Sequence, residues 1–518
     1  MGLRSFFTAL GSPATPATPK RKAAPAIQVR SISQAAQSGK LEASWSTTPT
    51  TADAQIYQEW LTITARSRKA ADDFDHAKKF LQLVRDNVAG PNGFIANAQI
   101  RDPGGTIDTL AGKAIEESYA DFSKKGNFDV TGMYSRAAME RLFLSTWPTD
   151  GEVIILIKVS PKYKHGIAFQ AIDPVRLDPI KYHKLPNGNF IRHGIEMDED
   201  GRPVAYYFKD YDSMMMGYIV SYMGMQYTRV PADEVIHWFV PEKIGQKRGL
   251  SPMRTALYRM RMLSGFEDAA LINARVGAAK MGFFSDKDGD GEDDNEPLEI
   301  DAEPGVFENI GNREFKEWAP QFPETSIESF VTTNLRSIGA GLNTSYHNLA
   351  NDLTSVNFSS IRQGALDERE VWKGLQNSFR DGVVIPMFEA WLKVALLNQM
   401  ITINGKPLRF ERIEKYKSVA FIGRRWSWID PAAEQTANER AVAQGFKSRS
   451  MVIRETCDMD PTDIWDEMKQ DNEELNKRNL VPLIPSGSVP PQDALPDGAA
   501  VQKQEVKKAR NLYPHLFR

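Results

Sequence analysis

Two long helical patterns separated by an acid-filled insert constrain this chain more than any other feature. Ser251-Pro252 reads as a helix cap followed by proline at the first helical position. Ala256, Met260, Leu263, Ala270, Ala274, Ala278 and Met281 then recur at three- and four-residue steps, broken at Glu267. Thirty residues at 1.5 Å each would form a rod of about 45 Å, with a stripe of Ala and Met suited to close packing on other helices. Thr325-Ser326-Ile327-Glu328 is a capping box. It opens a second helix whose apolar face carries Phe330, Val331, Leu335, Ile338 and Leu342, weakened by Gly339 and Gly341. Residues 344–360 show no period. A third helix follows to about 398, with Leu366, Trp372, Leu375, Phe379, Val383, Met387, Trp391 and Val394 on one face. Pro386 inside it predicts a kink, absorbed at Gly382 four residues earlier.

The insert between the first two helices is acidic. Residues 286–303 hold Asp286, Asp288, Asp290, Glu292, Asp293, Asp294, Glu296, Glu299, Asp301 and Glu303 against Lys287, ten acids to one base, a local charge of −9. The first six positions fit a calcium loop, but its twelfth position is Pro297 rather than Glu, and Glu296 comes one place early. The reading adopted is a solvated acidic loop with no metal bound, whose field would add up if copies were ringed together.

The remaining segments frame these helices. Residues 1–41 contain no acid but carry Arg4, Lys20, Arg21, Lys22, Arg30 and Lys40, with Pro13, Pro16, Pro19 and Pro25 breaking any helix. A disordered basic arm is expected there, in preference to a transit peptide or a myristoylated start. Helices are expected at 57–64, 74–88, 107–124 and 131–146. From Glu152 the period changes to strands: Val153-Ile154-Ile155-Leu156-Ile157 is a short buried run, Asn187-Gly188 and Asp200-Gly201 are turns, and Val235-Ile236-His237-Trp238-Phe239 is a further strand. A hairpin at 401–410 turns on Asn404-Gly405, and short helices follow at 431–444 and 449–476. The Pro-rich, then basic, tail is expected to be disordered.

Several chemistries are excluded or demoted. Cys457 is the sole cysteine, so neither an intrachain disulfide nor a thiolate zinc cage can form. No apolar run approaches the roughly 20 residues of a membrane helix. There is no GxxxxGK[ST] loop and no GxSxG elbow. None of the seven histidines has the paired spacing of a zinc protease, and His237 reads as a satisfied core residue. Ser345, His347 and Asp352 lie too close in one loop to make a triad. Arg424-Arg425-Trp426-Ser427-Trp428 could stack bases, but alternating Trp more often marks core packing. No catalytic residue and no cofactor is expected.

Three segments carry a family likeness. They are Ala171-Ile172-Asp173-Pro174-Val175-Arg176-Leu177-Asp178; Asp233-Glu234-Val235-Ile236-His237-Trp238-Phe239 followed by Gly245-Gln246-Lys247-Arg248-Gly249-Leu250-Ser251-Pro252; and Trp426-Ser427-Trp428-Ile429-Asp430-Pro431 with Glu434 and Ala437. In order and spacing the chain resembles the lambda-type portal proteins of tailed phages, over roughly residues 55–475. The resemblance implies an α+β portal fold with a β-rich wing, a long helical stem, a small clip, a kinked channel helix and a helical crown. It divides the chain into a disordered basic arm (1–54), wing (55–250), first stem helix (251–281), acidic clip (282–324), second stem helix (325–343), tunnel loop (344–359), kinked helix (360–398), returning wing strands (399–430), crown (431–476) and tail (477–518).

The resemblance further implies a dodecameric homo-oligomer at a capsid vertex of the virion, assembled in the host cytoplasm. Its partners would be the major capsid protein and scaffold, a terminase large subunit, a head-completion or connector protein, and duplex DNA passing without sequence preference; no membrane is involved. The tunnel-loop residues expected to face DNA are Thr344, Ser345, Asn348, Asn351, Asp352, Thr354, Ser355 and Asn357, a set with no Lys or Arg to hold phosphate. The partner-docking residues expected in the clip are Asp286, Asp288, Asp290, Glu292, Asp293, Asp294 and Glu296. Two other readings stay open from sequence, a calcium-dependent hydrolase and a non-viral nucleic-acid scaffold.

Overall fold

The computed structural model describes residues 48–102, 104–105, 107–210, 226–278, 282–286, 313–317, 324–354, 358–426, 431–456 and 461–478. Helices α1 (Ala52–Asp73) and α2 (Asp75–Val88) come first, followed by strand β1 (Ile95–Ala98), α3 (Thr109–Phe122) and α4 (Arg136–Asp150). The expected helix at 131–146 is displaced: Ser135 caps α4 by accepting from the Ala138 N–H, and Gly151 closes it in the left-handed region at φ 80°.

Strand β2 (Glu152–Val159) explains why its apolar run is continuous. It is the middle strand of an antiparallel sheet ordered β3 (Ile167–Ile172), β2, β9 (Val235–Phe239). Its side chains alternate between two cores. Val153 and Ile155 join the main helical core, whereas Ile154 and Leu156 join a second core under the neighbouring sheet. That sheet is a five-stranded meander of β4 (His183–Lys184), β5 (Phe190–Arg192), β6 (Ile195–Met197), β7 (Pro203–Lys209) and β8 (Tyr227–Pro231). The Asn187-Gly188 and Asp200-Gly201 turns connect β4 to β5 and β6 to β7, with Gly188 and Gly201 at φ 89° and 80°.

A buried charge cluster ties β2 and β9 to α1 and to the segment that leads into the next long helix. Arg248 and Glu152 are fully buried and ion-paired. Arg248 also donates to the carbonyls of Leu177 (2.7 Å) and Pro174 (3.1 Å), and its guanidinium lies 4.3 Å from the Trp60 ring of α1. Glu152 accepts from the Gly249 N–H at 2.9 Å and meets His237 Nε2 at 3.1 Å. Burial alone would raise the Glu152 pKa, but Arg248 and His237 overcome it and hold the carboxyl at about 2. The backbones cross here too: a Cβ on Gly249 would stand 2.0 Å from the Gly151 carbonyl oxygen. His237 is thus the satisfied core histidine expected of it.

Helix α5 (Arg254–Ala278) begins two residues after Pro252, the first helical position suggested by the sequence. Ser251 works as a junction, donating to the Pro148 carbonyl at 2.6 Å and accepting from Ser67 Oγ at 2.9 Å and the Met253 N–H at 3.1 Å. A two-stranded ribbon, β10 (Gly282–Asp286) and β11 (Arg313–Glu317), occurs in the expected clip. Helix α6 (Glu324–Gly341) returns antiparallel in sequence order and meets α5 through Phe266 and Phe330, 4.7 Å apart, and through Thr255 Oγ1 donating to the Gly341 carbonyl at 2.8 Å. The sequence marks Gly339 and Gly341 as weak points, but each permits a close approach: a Cβ on Gly341 would lie 3.2 Å from Thr255 Oγ1 of α5, and one on Gly339 3.0 Å from the Thr344 carbonyl oxygen.

A short helix α7 (Tyr346–Ala350) precedes α8 (Phe358–Phe379), a π-turn at Arg380–Val384 and α9 (Ile385–Leu397). The α-helical pattern breaks where Pro386 predicts, in the form of a π-turn. The Ile385 N–H bonds the Arg380 carbonyl five residues back, and Pro386 follows with no N–H to restore the α pattern. Gly382 faces Trp238 so closely that an added Cβ would meet Cδ1 at 2.3 Å. A hairpin of β12 (Thr402–Ile403) and β13 (Lys406–Pro407) turns on Asn404 and Gly405 at φ 50° and 76°, the left-handed pair that a two-residue turn requires. Helix α10 (Ile413–Tyr416) leads to β14 (Val419–Ile422), which pairs antiparallel with β1 in a two-stranded sheet. Helices α11 (Pro431–Ala443), α12 (Arg449–Thr456) and α13 (Pro461–Lys477) follow. Among the described residues no helix is long and apolar enough to cross a membrane.

Candidate functional site

The segment between the second and third long helices is organised around one carboxylate. Glu368 on α8 is 6% exposed and accepts from Thr344 Oγ1 at 2.7 Å, Ser345 Oγ at 2.8 Å and Asn348 Nδ2 at 2.5 Å. Ser345 also caps α7 by accepting from the Asn348 N–H. Three residues expected to offer their polar groups to DNA are therefore committed to a buried acid, since a desolvated carboxylate needs these bonds more than water-exposed phosphate does. The segment is consequently a helical turn rather than an aperiodic loop.

The remaining residues of the set form the tip. Asn351 is exposed and takes the left-handed conformation at φ 53°. Asp352 accepts from Thr354 Oγ1 (2.6 Å), the Thr354 N–H (2.9 Å) and Tyr346 OH (2.7 Å). These bonds, Thr354's first, hold the Asp352 carboxyl at about 2, so it stays charged at any pH near neutrality. Leu353 and Thr354 are exposed. His347 directs Nδ1 to the Asp352 backbone carbonyl at 2.9 Å, and Ser345 faces Glu368, so these residues do not form a nucleophilic triad. Ser355 and Asn357 lie outside the described residues.

Sequence reasoning missed Glu368. A signal was present: Glu368, Trp372, Leu375 and Phe379 share one face at steps of four, three and four, with Trp372 and Phe379 buried. An acid interrupting an apolar stripe marks a carboxylate with partners on a neighbouring element.

The acidic insert is only partly described. Asp286 ends β10 opposite Arg313 of β11, in a register running from Gly282 and Glu317. Asp288, Asp290, Glu292, Asp293, Asp294 and Glu296 lie outside the described residues. Elsewhere no three metal-ligating side chains gather among the described residues. Trp426 donates its indole N–H to Asn87 Oδ1 at 3.0 Å and packs against the main core, as the packing reading expected; Trp428 is outside the described residues.

Beyond the core, α5 and the start of α6 carry no buried side chain among the described residues. Ala256, Met260 and Leu263 of α5 are buried, but no described side chain from Ser264 to Arg275 is. Leu271 and Ile272 are 60% and 59% exposed, and Phe330 of α6 is 48% exposed. Ala274, placed on the expected buried stripe, is exposed in the single chain.

The family model described as phage portal protein, lambda family, matches residues 38–376, well over half of the chain. This chain belongs to that family. The probable portal protein of Halomonas phage phiHAP-1 is 30% identical over 472 residues, 88% of each chain. Portal protein B of Escherichia phage lambda is 20% identical over 402 residues, 70% of this chain and 74% of its own. Among solved structures, a chain from the neck of an empty gene transfer agent particle covers 85% of this chain and 97% of its own at 13% identity and a TM-score of 0.42. Family membership makes this a portal vertex protein, a structural component, and accounts for the mixed α+β architecture around two long helices.

Proposed function

We propose that copies of this chain close into a dodecameric ring at one capsid vertex, through which duplex DNA is packaged and later ejected, and that no catalytic step belongs to the chain itself. The observation that carries the ring is the bare outer half of α5, with Leu271 and Ile272 open to water, and the half-exposed Phe330 of α6. Among the described residues, none covers Leu271 and Ile272 enough to bury them. Heterologous head-to-tail packing of neighbours covers them and closes the ring. The stem then forms the wall, the α7 segment the constriction, and the β10–β11 ribbon with its acidic insert the face offered to the terminase large subunit and head-completion protein. Capsid protein and scaffold meet the wing, and assembly takes place in the host cytoplasm.

Within the constriction, Asn351, Asp352 and Thr354 present neutral groups and one fixed negative charge. Such a surface lets phosphates pass without the counterion release that would bind them. Native mass measurement and negative-stain imaging test the ring: closed rings are expected for the purified chain. Leu271→Glu with Ile272→Glu should yield folded monomers, because each buried aliphatic side chain contributes about 1.5–3 kcal/mol. A wild-type chain that stays monomeric at high concentration across salt conditions refutes the proposal.

A further inference from the structure

A second charged site lies on the far side of α8. A cleft of about 720 Å³ opens between α8, the strand end at Gly423-Arg424-Arg425-Trp426, and helices α11 and α12. Its lining includes Arg369, Lys373, Arg380, Arg424, Arg425, Lys447 and Arg454, against Glu370, Glu434 and Glu455. Counting Asp381, which pairs with Arg380 at 2.8 Å from outside the lining, seven cations face four acids. The cleft therefore carries a surplus of three positive charges (7 − 4), in a chain whose formal net charge is −3.

The floor is rigidly built. Gln376 Nε2 donates to the carbonyls of Asn87, Val88 and Arg424 at 2.9, 3.2 and 2.9 Å. Arg424 donates to the Asp86 carbonyl at 2.8 Å and to Asn87 Oδ1 at 3.0 Å, both neutral acceptors, so its charge is positioned without being cancelled by them. Arg425 reaches the Ile453 carbonyl at 3.2 Å and joins the two walls. Arg369 feels the crowding: burial and the nearby Arg424 hold its pKa below the ordinary arginine value, with Glu434 opposing. Arg454 is exposed at the rim.

The arrangement favours a phosphate backbone over bases. Arg369, Lys373 and Arg380 follow one face of α8 and its π-turn at rises of about 6 Å and about 10 Å, a line of charge rather than a single pocket, in which Lys373 also pairs with Glu370 at 2.6 Å. Trp426 offers no free stacking platform, because Arg369 lies 5.9 Å over its ring and Asn87 holds its N–H. We propose that this cleft binds the sugar–phosphate backbone of DNA without sequence preference, gripping a strand outside the constriction that must let it slide. The proposal rests on the portal reading for its source of DNA.

The test uses the full-length assembled protein and a short fluorescein-labelled duplex, with anisotropy followed across a salt series. Lys373→Ala with Arg454→Ala removes two cations whose loss the floor tolerates. The slope of log K against log salt should become shallower by about 1.8, at roughly 0.9 for each phosphate no longer neutralised. Lys373→Arg with Arg454→Lys keeps the charge and should retain the wild-type slope. An unchanged slope in the alanine variant, with rings intact by native mass, overturns the cleft while leaving the portal reading untouched. A chain that forms no rings yet shows the slope change supports the cleft and sinks the portal reading instead. If a polyglutamate peptide binds more tightly than the duplex and is lost in the same variant, the assignment to DNA is overturned.

Discussion

Replacing Gly382 by alanine sets two local effects against each other. Helix propensity favours the change by about 1 kcal/mol, since Gly382 lies in a helical π-turn and not in the left-handed region. Space opposes it, because the new methyl would sit 2.3 Å from Trp238 Cδ1. Trp238 cannot swing aside freely. It is 4% exposed, donates Nε1–H to Ser378 Oγ at 3.1 Å, packs edge-on to Phe379 at 5.1 Å and lies 5.9 Å from Trp147. Overpacking of this kind costs about 1–3 kcal/mol, and a broken Trp238–Ser378 bond adds about 1 kcal/mol. The net is a destabilisation of about 1–3 kcal/mol, localised at the junction of β9 and the π-turn. Amide hydrogen exchange over 378–386 and 235–239 reads it, and local opening should become roughly 5- to 150-fold more frequent. Trp238→Leu should relieve the clash, so that Gly382→Ala costs less in that background. If Gly382→Ala slows exchange in the wild-type background, as propensity alone requires, the steric reasoning is wrong.

Other perturbations test the charged groups. Glu368→Gln leaves an amide facing donors that now meet a carboxylate, so the α7 turn should lose about 1–3 kcal/mol, seen as faster proteolysis and exchange at 344–350. Arg248→Met strands the buried Glu152 charge and should cost about 3–5 kcal/mol, measured by urea unfolding at fixed protein concentration. Glu152 is held at about 2, below its ordinary 4.5, so its contribution is complete above pH 4.5 and is lost as pH falls towards 2. Asp150 behaves oppositely. Burial raises its pKa to about 6 despite the ion pair with Arg68, so folding loses stability as pH rises from 3.8 through 6. Relative to Asp150→Asn, the wild type should therefore weaken across that window and hold a constant difference above it. Leu353→Lys, a fixed cation at an exposed tip position, should leave rings intact and slow packaging of DNA. Lysine at Asn348 would instead be neutralised by Glu368.

Local chemistry was legible wherever one short stretch decides the outcome. Val235–Phe239, the turns at Gly188, Gly201 and Gly405, and the break in the helix before Pro386 all follow from nearby residues, and all are found where expected. What escaped depends on residues distant in the chain. The pairing of Ile95 with Ile422 has no signal in either short strand. The α7 helix is five residues long, far too short to form from propensity, and exists because Ser345 caps it and Glu368 anchors it. Ser251 was read as a cap, but Ser67 and Pro148 take its hydroxyl, so α5 starts later. At the candidate site, polarity identified the right segment but not which side chains were already engaged. Composition counts donors without showing where a buried acceptor lies.

The contact between Gly382 and Trp238 makes α8 a lever with its fulcrum in the wing sheet. The arm from Phe358 to Phe379 is 22 residues, or about 33 Å at 1.5 Å per residue. A rotation of about 5° at the π-turn displaces its far end by about 3 Å, about half the helical pitch. Glu368, which holds Thr344, Ser345 and Asn348, lies about 16 Å along that arm and would move by about 1.4 Å. In the ring proposed above, a rotation of this kind would carry the α7 turn with it, so the constriction of one subunit would widen or narrow without any side chain near it changing partner.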